Sequence, residues 1–299
     1  MGERQRQAVE WPTVLLLVVF FAAWGALVAW HDTIPWPVAA VCLVYVGGLW
    51  MSLGHELLHG HPTRWNAVNT AIGFLPLQFW IPFTRYKTLH VVHHHSDLTD
   101  PVDDPESFYV QPAVWEAAGP LKRRWMMVLR TLAGRLVLGT PRGILRYWWG
   151  EARTVRAPRE VAGWVLHVVA AVAFGWWLFG VVGVSAWLYV PAFCLGGSAC
   201  TNVRSFLEHK AVSEGTRSAV VKAGPVMSLL FLNNNLHHTH HAEPSLEWYR
   251  IPARNRELGS DALAAAGAGL YEGGYLQVFR TYLFRPFGTP PDPLASARR

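Results

Sequence analysis

Three short windows carry most of the histidines of this chain. "GHELLHGH" (54–61) supplies His55 and His59, "HVVHHH" (90–95) supplies His90, His93 and His94, and "NNNLHHTHH" (233–241) supplies His237, His240 and His241. His209, in "RSFLEHK", makes a ninth. On a helix, positions i and i+4, or i, i+3 and i+4, lie on one face, so H-x-x-x-H and H-x-x-H-H each aim their imidazoles at a common point. Imidazole is a ligand for iron, copper, zinc and nickel, and one ion takes roughly four to six donors. Nine nitrogen donors are too many for one ion and suit a dinuclear site. His61, His95 and His238 adjoin the windows but fall off the shared faces, which makes them supports for ligands or surface residues. His31 and His167 stand alone and read as surface or satisfied core residues.

The elements that must position these donors are apolar. Of the 299 residues 52% are hydrophobic, 15% are charged and sixteen are tryptophan, too greasy a balance for an ordinary soluble domain. The uncharged run 12–30 would cover roughly 28 Å as a helix, close to a hydrocarbon core. Similar runs occupy 33–54, 161–180 and 182–203, giving an all-α integral membrane fold of four spans in two hairpins. The turns inside the hairpins hold no Lys or Arg, whereas 85–159 holds a dozen, so the termini and the middle loop are expected on the cytoplasmic side. A helical cap, 84–160 with 204–299, would then carry the histidines, in a single membrane domain. The net charge of +6 reads as this topology signal and as attraction to anionic lipid, with no nucleic-acid partner required.

Arg4 and Arg6 give the first run the basic start of a signal peptide, but the run is longer than a signal core and no small-residue cleavage site follows, so a retained helix is expected. Residues 67–83 are apolar but broken by Gly73, Pro76 and Pro82, and read as a re-entrant or interfacial segment. Cys42, Cys194 and Cys200 lie inside apolar runs without a C-x-x-C pair, and read as packing residues. No repeat or low-complexity tract stands out beyond a Gly/Ala-rich patch at 262–274.

The eight-histidine pattern H-x-x-x-H, H-x-x-H-H, H-x-x-H-H, with a further histidine in "LEH" at His209, resembles the membrane fatty-acid desaturase superfamily over about 50–245. The resemblance implies a di-iron centre bound almost wholly by His55, His59, His90, His93, His94, His209, His237, His240 and His241. It also implies O2 as co-substrate and electrons from a ferredoxin or a cytochrome b5-like donor. "TDPVDDPESF" (99–108) resembles the D-P-rich stretch of bacterial desaturases and carotenoid ketolases. Asp100, Asp103, Asp104 and Glu106 there, and Glu208, are candidates to orient the imidazoles, the alternative for the Asp/Pro stretch being a solvated turn. Asn233, Asn234 and Asn235 pose a similar choice, as an iron contact or, for Asn235, a helix cap. The chain carries neither an H-P-G-G haem motif nor C-x-x-C pairs, so the donor is expected to be a separate protein.

Such a centre, with no other catalytic side chain, would take hydrogen from an unactivated methylene. Loss of a second hydrogen gives a double bond; return of oxygen gives an alcohol or ketone. The leading expectation is a fatty-acyl desaturase acting on a lipid or thioester, in a bacterial inner membrane with its site on the cytoplasmic side. Alternatives are a carotenoid ketolase or hydroxylase, an alkane hydroxylase, and, in another class, a non-catalytic metal-binding or transport protein. Transport predicts ionisable groups in mid-span, where only His167 occurs. Arg85, Lys87 and Arg204 are candidates for an anionic head group, against a purely topological role. Trp50, Trp80, Gly196, Gly197, Ser198 and Ala199 either bound a substrate channel or pack helices closely.

Overall fold

A computed structural model describes residues 8–295; Arg4 and Arg6 lie outside them. The chain is mostly helical. It opens with α1 (Trp11–Ala29) and α2 (Trp36–Leu58), followed by α3 (Asn66–Gly73) and α4 (Phe83–His95). Next come α5 (Pro112–Glu116), α6 (Pro120–Leu129), α7 (Leu132–Gly134) with a π-helical turn Arg135–Gly139, α8 (Thr140–Thr154), and α9 (Pro158–Gly175) with a π-helical end Trp176–Val181. After α10 (Ala186–Tyr189), a second π stretch (Val190–Gly196) leads into α11 (Gly197–Glu208). The remainder is β1 (Val220–Val221), α12 (Pro225–Leu230), α13 (His237–Ala242), α14 (Ile251–Glu257), α15 (Ser260–Ala265), β2 (Leu270–Tyr271) and α16 (Gly274–Tyr282). Proline sits in the first turn of α1, α2, α5, α6, α9, α12 and α14, where its missing N–H has no intrahelical acceptor to lose.

Among the described residues three helices are long and apolar enough to cross a membrane: α1, α2, and the run Pro158–Val181. The segment expected as a fourth span, 182–203, begins as a helix only at Ala186 and changes to π geometry over Val190–Gly196. Pro191 is the physical reason, since it lacks the N–H of an α ladder and its ring crowds the preceding turn. Helix α2 runs past its expected end at 54, so His55 lies within it and His59 caps it. Over 67–83 only α3 and a series of turns form, as Gly73, Pro76 and Pro82 imply.

The chain divides into two compact units, Met1–Lys87 with Tyr147–Cys200, and Thr88–Arg146 with Thr201–Arg299. In the first, Phe20 stacks on Trp50 at 5.0 Å. A Cβ on Gly47 would fall 2.3 Å from the Phe193 carbonyl oxygen, and one on Gly197 2.5 Å from the Gly47 carbonyl carbon. Gly197 therefore serves close helix approach, as does Gly196, where a Cβ would meet Val44 at 2.6 Å. Cys194 and Cys200 lie against the carbonyls of Leu77 and Val44, in packing positions. Trp80 Nε1 donates to Ser198 Oγ, and His167 and His31 meet the carbonyls of Phe79 and Val182. In the second unit, Val220, Leu236, Leu246, Ile251 and Ala264 form an apolar cluster with Leu270 behind α13, and β1 and β2 pair in parallel.

Substituting Gly197→Val should lower the melting temperature of the detergent-purified protein, at a cost of about 2 kcal/mol or more from overpacking. Gly25→Ala, with nothing within 4 Å of its new Cβ, should leave it unchanged or slightly raised. Equal melting shifts for the two would refute the close-approach assignment.

Candidate metal centre

In the second unit, α4, the end of α11 and α13 bring His93, His209, His237 and His241 together, with one nitrogen of each within 4.8 Å of the others. His93 Nε2 lies 3.1 Å from His209 Nε2, which lies 3.1 Å from His237 Nε2. In the same unit His94 Nε2 lies 3.0 Å from His90 Nε2 and 3.1 Å from His240 Nε2. The spacing follows from helical geometry, since His90 and His94 sit one turn apart on α4, and His237, His240 and His241 share one face of α13. In the first unit His55 and His59 face each other on the last turn of α2, ring centroids 4.7 Å apart.

The other ring nitrogens are anchored. His93 Nδ1 meets Asp104 Oδ1 at 2.8 Å, and His90 Nδ1 meets Glu106 Oε1 at 2.7 Å. His237 Nδ1 meets Asn234 Oδ1 at 3.0 Å and Glu208 Oε1 at 3.3 Å. His209 Nδ1 has Ser218 Oγ at 3.4 Å. A carboxylate or amide oxygen can only accept, so Nδ1 carries the proton in His90, His93 and His237, and the Nε2 lone pair points inward.

This donor set fits metal. The Nε2 lone pairs of His90, His93 and His237 turn toward neighbouring imidazoles, and His241 Nε2 is buried with no hydrogen-bond partner. Two nitrogens bound at right angles, each about 2.1 Å from one ion, are ~3.0 Å apart, the separation these imidazoles already have. Burial, with repulsion from His90 and His93, pushes His94 down to about 3. Burial and His93 do the same to His209, which also falls to about 3. His237 and His241 lie well below the ordinary histidine range for the same reasons, burial first and neighbouring imidazoles second. For His93 burial pulls downward, but Glu106, Asp104 and Glu208 outweigh it and raise the pKa. Four neutral, inward-facing bases beside one more basic imidazole held by acids form a ligand set.

Not every candidate faces these groups. Asp104 also accepts the backbone N–H of Thr99 and of Glu106, whereas Asp100 and Asp103 accept backbone N–H groups of their own turn. Asp100 and Asp103 therefore shape the turn, and Asp104 and Glu106 reach the imidazoles. Asn233 donates to the Trp248 carbonyl, and Asn235 donates to the Val221 carbonyl. The helix-cap position expected for Asn235 belongs to Leu236, because α13 starts at His237. His61 pairs with Glu10 at 2.7 Å, exposed His95 bonds the Val91 carbonyl of its own helix, and His238 bonds Ser260. Arg85, a candidate for an anionic head group, makes paired bonds of 2.7 and 2.8 Å to Glu151 and a further bond to Glu160. Arg204 pairs with Glu208 at 3.0 Å, while Lys87 is half-buried without an ion pair among the described residues.

Sequence reasoning missed Ser218, behind His209, and the polar group behind α13, where buried Thr239 bonds both Asn255 and Ser260. These partners come from distant segments and carry no local motif.

The fatty acid desaturase family model matches residues 34–272. A beta-carotene ketolase of Paracoccus sp. (strain N81106 / MBIC 01143) is 26% identical over 256 residues, covering 78% of this chain and 87% of the ketolase. The chain belongs to the fatty acid desaturase family. That family is of the di-iron, histidine-box type, and the imidazole groups described above are clusters that could hold metal.

Asp104→Asn should weaken metal retention by about 10–100-fold, whereas Asp100→Asn should not, as read by metal content after graded chelation. Arg85→Met should destabilise the protein by about 3–5 kcal/mol, because Glu151 and Glu160 lose their cation, and should leave the KM for substrate unchanged. A raised KM in a stably folded variant would restore the head-group role.

Proposed function

We propose that this chain is an O2-dependent di-iron oxidoreductase that takes hydrogen from unactivated C–H bonds of a lipid-soluble molecule, with introduction of a double bond into a fatty-acyl chain as its first reading. The observation that carries it is the convergence of His93, His209, His237 and His241, with His241 Nε2 buried and orphaned. Membership of the desaturase family supports an enzyme over a passive metal-binding protein. In this reading the nine histidines hold two irons, with that group of four on one of them. Iron bound there supplies the activation of O2 that no side chain can provide.

The chain's own residues supply the rest. Asp104 and Glu106 hold the Nδ1 protons of His93 and His90, fixing the rings and making their Nε2 atoms better donors. Burial keeps the other imidazoles neutral and ready to bind. In the first unit, Trp50, Met51, Leu75, Ile81, Phe83 and Tyr86 line an apolar cavity that includes Gly54, one residue before His55. Buried Gln78 also lines it, but no charged side chain does, so an apolar substrate would enter it without desolvating a charge.

A second reading is oxygen insertion into a neutral hydrocarbon by a carotenoid ketolase or hydroxylase, or an alkane hydroxylase. The ketolase relative favours it, and so does the pairing of Arg85 and Arg204 with glutamates, which neutralises two of the three cations expected to hold an anionic head group. In both readings the electron donor is a separate ferredoxin or cytochrome b5-like protein. The membrane is spanned four times, with 84–160 and 204–299 on the cytoplasmic side of a bacterial inner membrane. The dozen basic residues between 85 and 159 support that orientation.

The test is expression in a host of known lipids with a matching reductase, and mass analysis of the extract against a His93→Ala control. Loss of two hydrogens from acyl chains supports the first reading; a gained oxygen, or oxygen gained with two hydrogens lost, supports the second. His31→Ala should behave as wild type. Purified protein should contain about two irons per chain; full activity in a zinc-only preparation would end both readings.

A further inference from the structure

Two arginines of the second unit are buried without an acid. Arg130 caps the C-terminus of α6 and Arg135 opens the π-helical turn after α7; each is 4% exposed. Arg130 donates from Nε to the Phe287 carbonyl at 2.8 Å, and at the limit of hydrogen bonding, 3.5 Å, from Nη1 to the Phe108 carbonyl. Arg130 Nη2 and Arg135 Nη1 are buried donors with no acceptor. Aromatic rings cover the guanidinium planes, Phe108 at 3.4 Å over Arg135 and Tyr109 at 4.6 Å over Arg130, and the Tyr109 side chain also hydrogen-bonds Arg130. A ring face attracts a cation but accepts no hydrogen bond from in-plane N–H groups.

Both side chains line one cavity together with His209, Asp104 and Glu106. Those two acids do not balance them. Asp104 is committed to His93 and to two backbone N–H groups, Glu106 to His90, and among the described residues neither guanidinium forms an ion pair. Burial lowers the pKa of both arginines, and repulsion from Arg130 lowers Arg135 further. Guanidinium nonetheless stays protonated in proteins, so two uncompensated charges are held where they are costly. Donors without acceptors, beside unbalanced positive charge and a void, define what is missing as an anion.

We propose that the cavity at Arg130 and Arg135 binds a small inorganic anion of halide size. Its volume, about 10 Å³, limits the class to a single-atom anion, for which the lining need give by only about 0.4 Å relative to a water-sized sphere. A phosphate or an organic carboxylate does not fit; chloride does. The anion would accept from Arg130 Nη2 and Arg135 Nη1, tying α6 and the π turn to the segment 99–109 that carries Asp104 and Glu106. The inference does not rest on which reaction the metal centre performs.

The test uses the purified full-length protein in detergent with its metal bound, in gluconate buffer at fixed ionic strength, titrated with sodium chloride or bromide. A saturable rise in melting temperature of about 5 °C is expected at a hundredfold excess over Kd. Arg135→Met should lose that response and melt in gluconate no lower than wild type. Crystals grown in bromide should show an anomalous peak within hydrogen-bonding distance of both arginines. No halide response in wild type, an equal response in Arg135→Met, a response to phosphate or acetate alone, or bromide absent from the cavity would each overturn the proposal. Should Arg135→Met fail to fold, the bromide peak in wild type decides alone.

Discussion

Imidazole nitrogens of the second unit lie 3.0–3.1 Å apart, the spacing of neighbouring ligands on one cation, and the unit is arranged to hold them there. Each ring needs its Nδ1 proton held from outside, or it turns or changes tautomer. Asp104 and Glu106 do this from one short segment and Asn234 from another, each by accepting from Nδ1, while Glu208 Oε1 lies 3.3 Å from the Nδ1 of His237 as a neighbouring charge. Burial then makes the protonated alternative expensive for His94, His209, His237 and His241. Without the acids the rings would lose orientation, and without the burial they would take up protons.

The acidic segment shows how tightly orientation is set. Thr99 has φ at 76°, a backbone conformation that a β-branched residue rarely adopts. It is held by its N–H bond to Asp104 Oδ2, while Ser107 Oγ donates to its carbonyl. The same Asp104 accepts from His93 with its other oxygen. The turn that strains the backbone is thus the one that aims the carboxylate. Asp100 and Asp103, equally acidic and close in sequence, satisfy amides within the turn.

What was legible in the sequence is what depends on local periodicity. Histidines three and four apart lie on one helical face whatever surrounds them, so the ligand candidates and their helices could be read directly. The first three apolar runs followed from composition within a few residues. The fourth run forms a helix only from Ala186 and takes π geometry around Pro191, which changes the hydrogen-bond ladder, an effect that a hydropathy reading does not register. Which acid meets which imidazole depended on a left-handed Thr99, and the partners of His209 and His238, Ser218 and Ser260, depended on tertiary contacts. Charge was the least legible. Arg130 and Arg135 read as topological basic residues and Arg85 and Arg204 as head-group candidates or topological residues, yet Arg85 and Arg204 are buried against glutamates and Arg130 and Arg135 are buried against aromatic rings.

Those burials bear on what the protein can recognise. A cation that selects an anionic head group must be free to exchange water for substrate, and one already closed on a carboxylate has to break that pair first. Arg85, with Glu151 bound through two nitrogens and Glu160 through a third, is poorly placed to do so. Trp164 also donates to Glu151, which further fixes the pair. Selection by charge is therefore weak at this position, and in the proposed function discrimination would fall to shape in the cavity at Trp50, Phe83 and Tyr86. Shape alone separates hydrocarbons that differ by a methylene by only about 1–3 kcal/mol. In the proposed function, the rest of the selectivity would have to come from how rigidly the substrate is positioned.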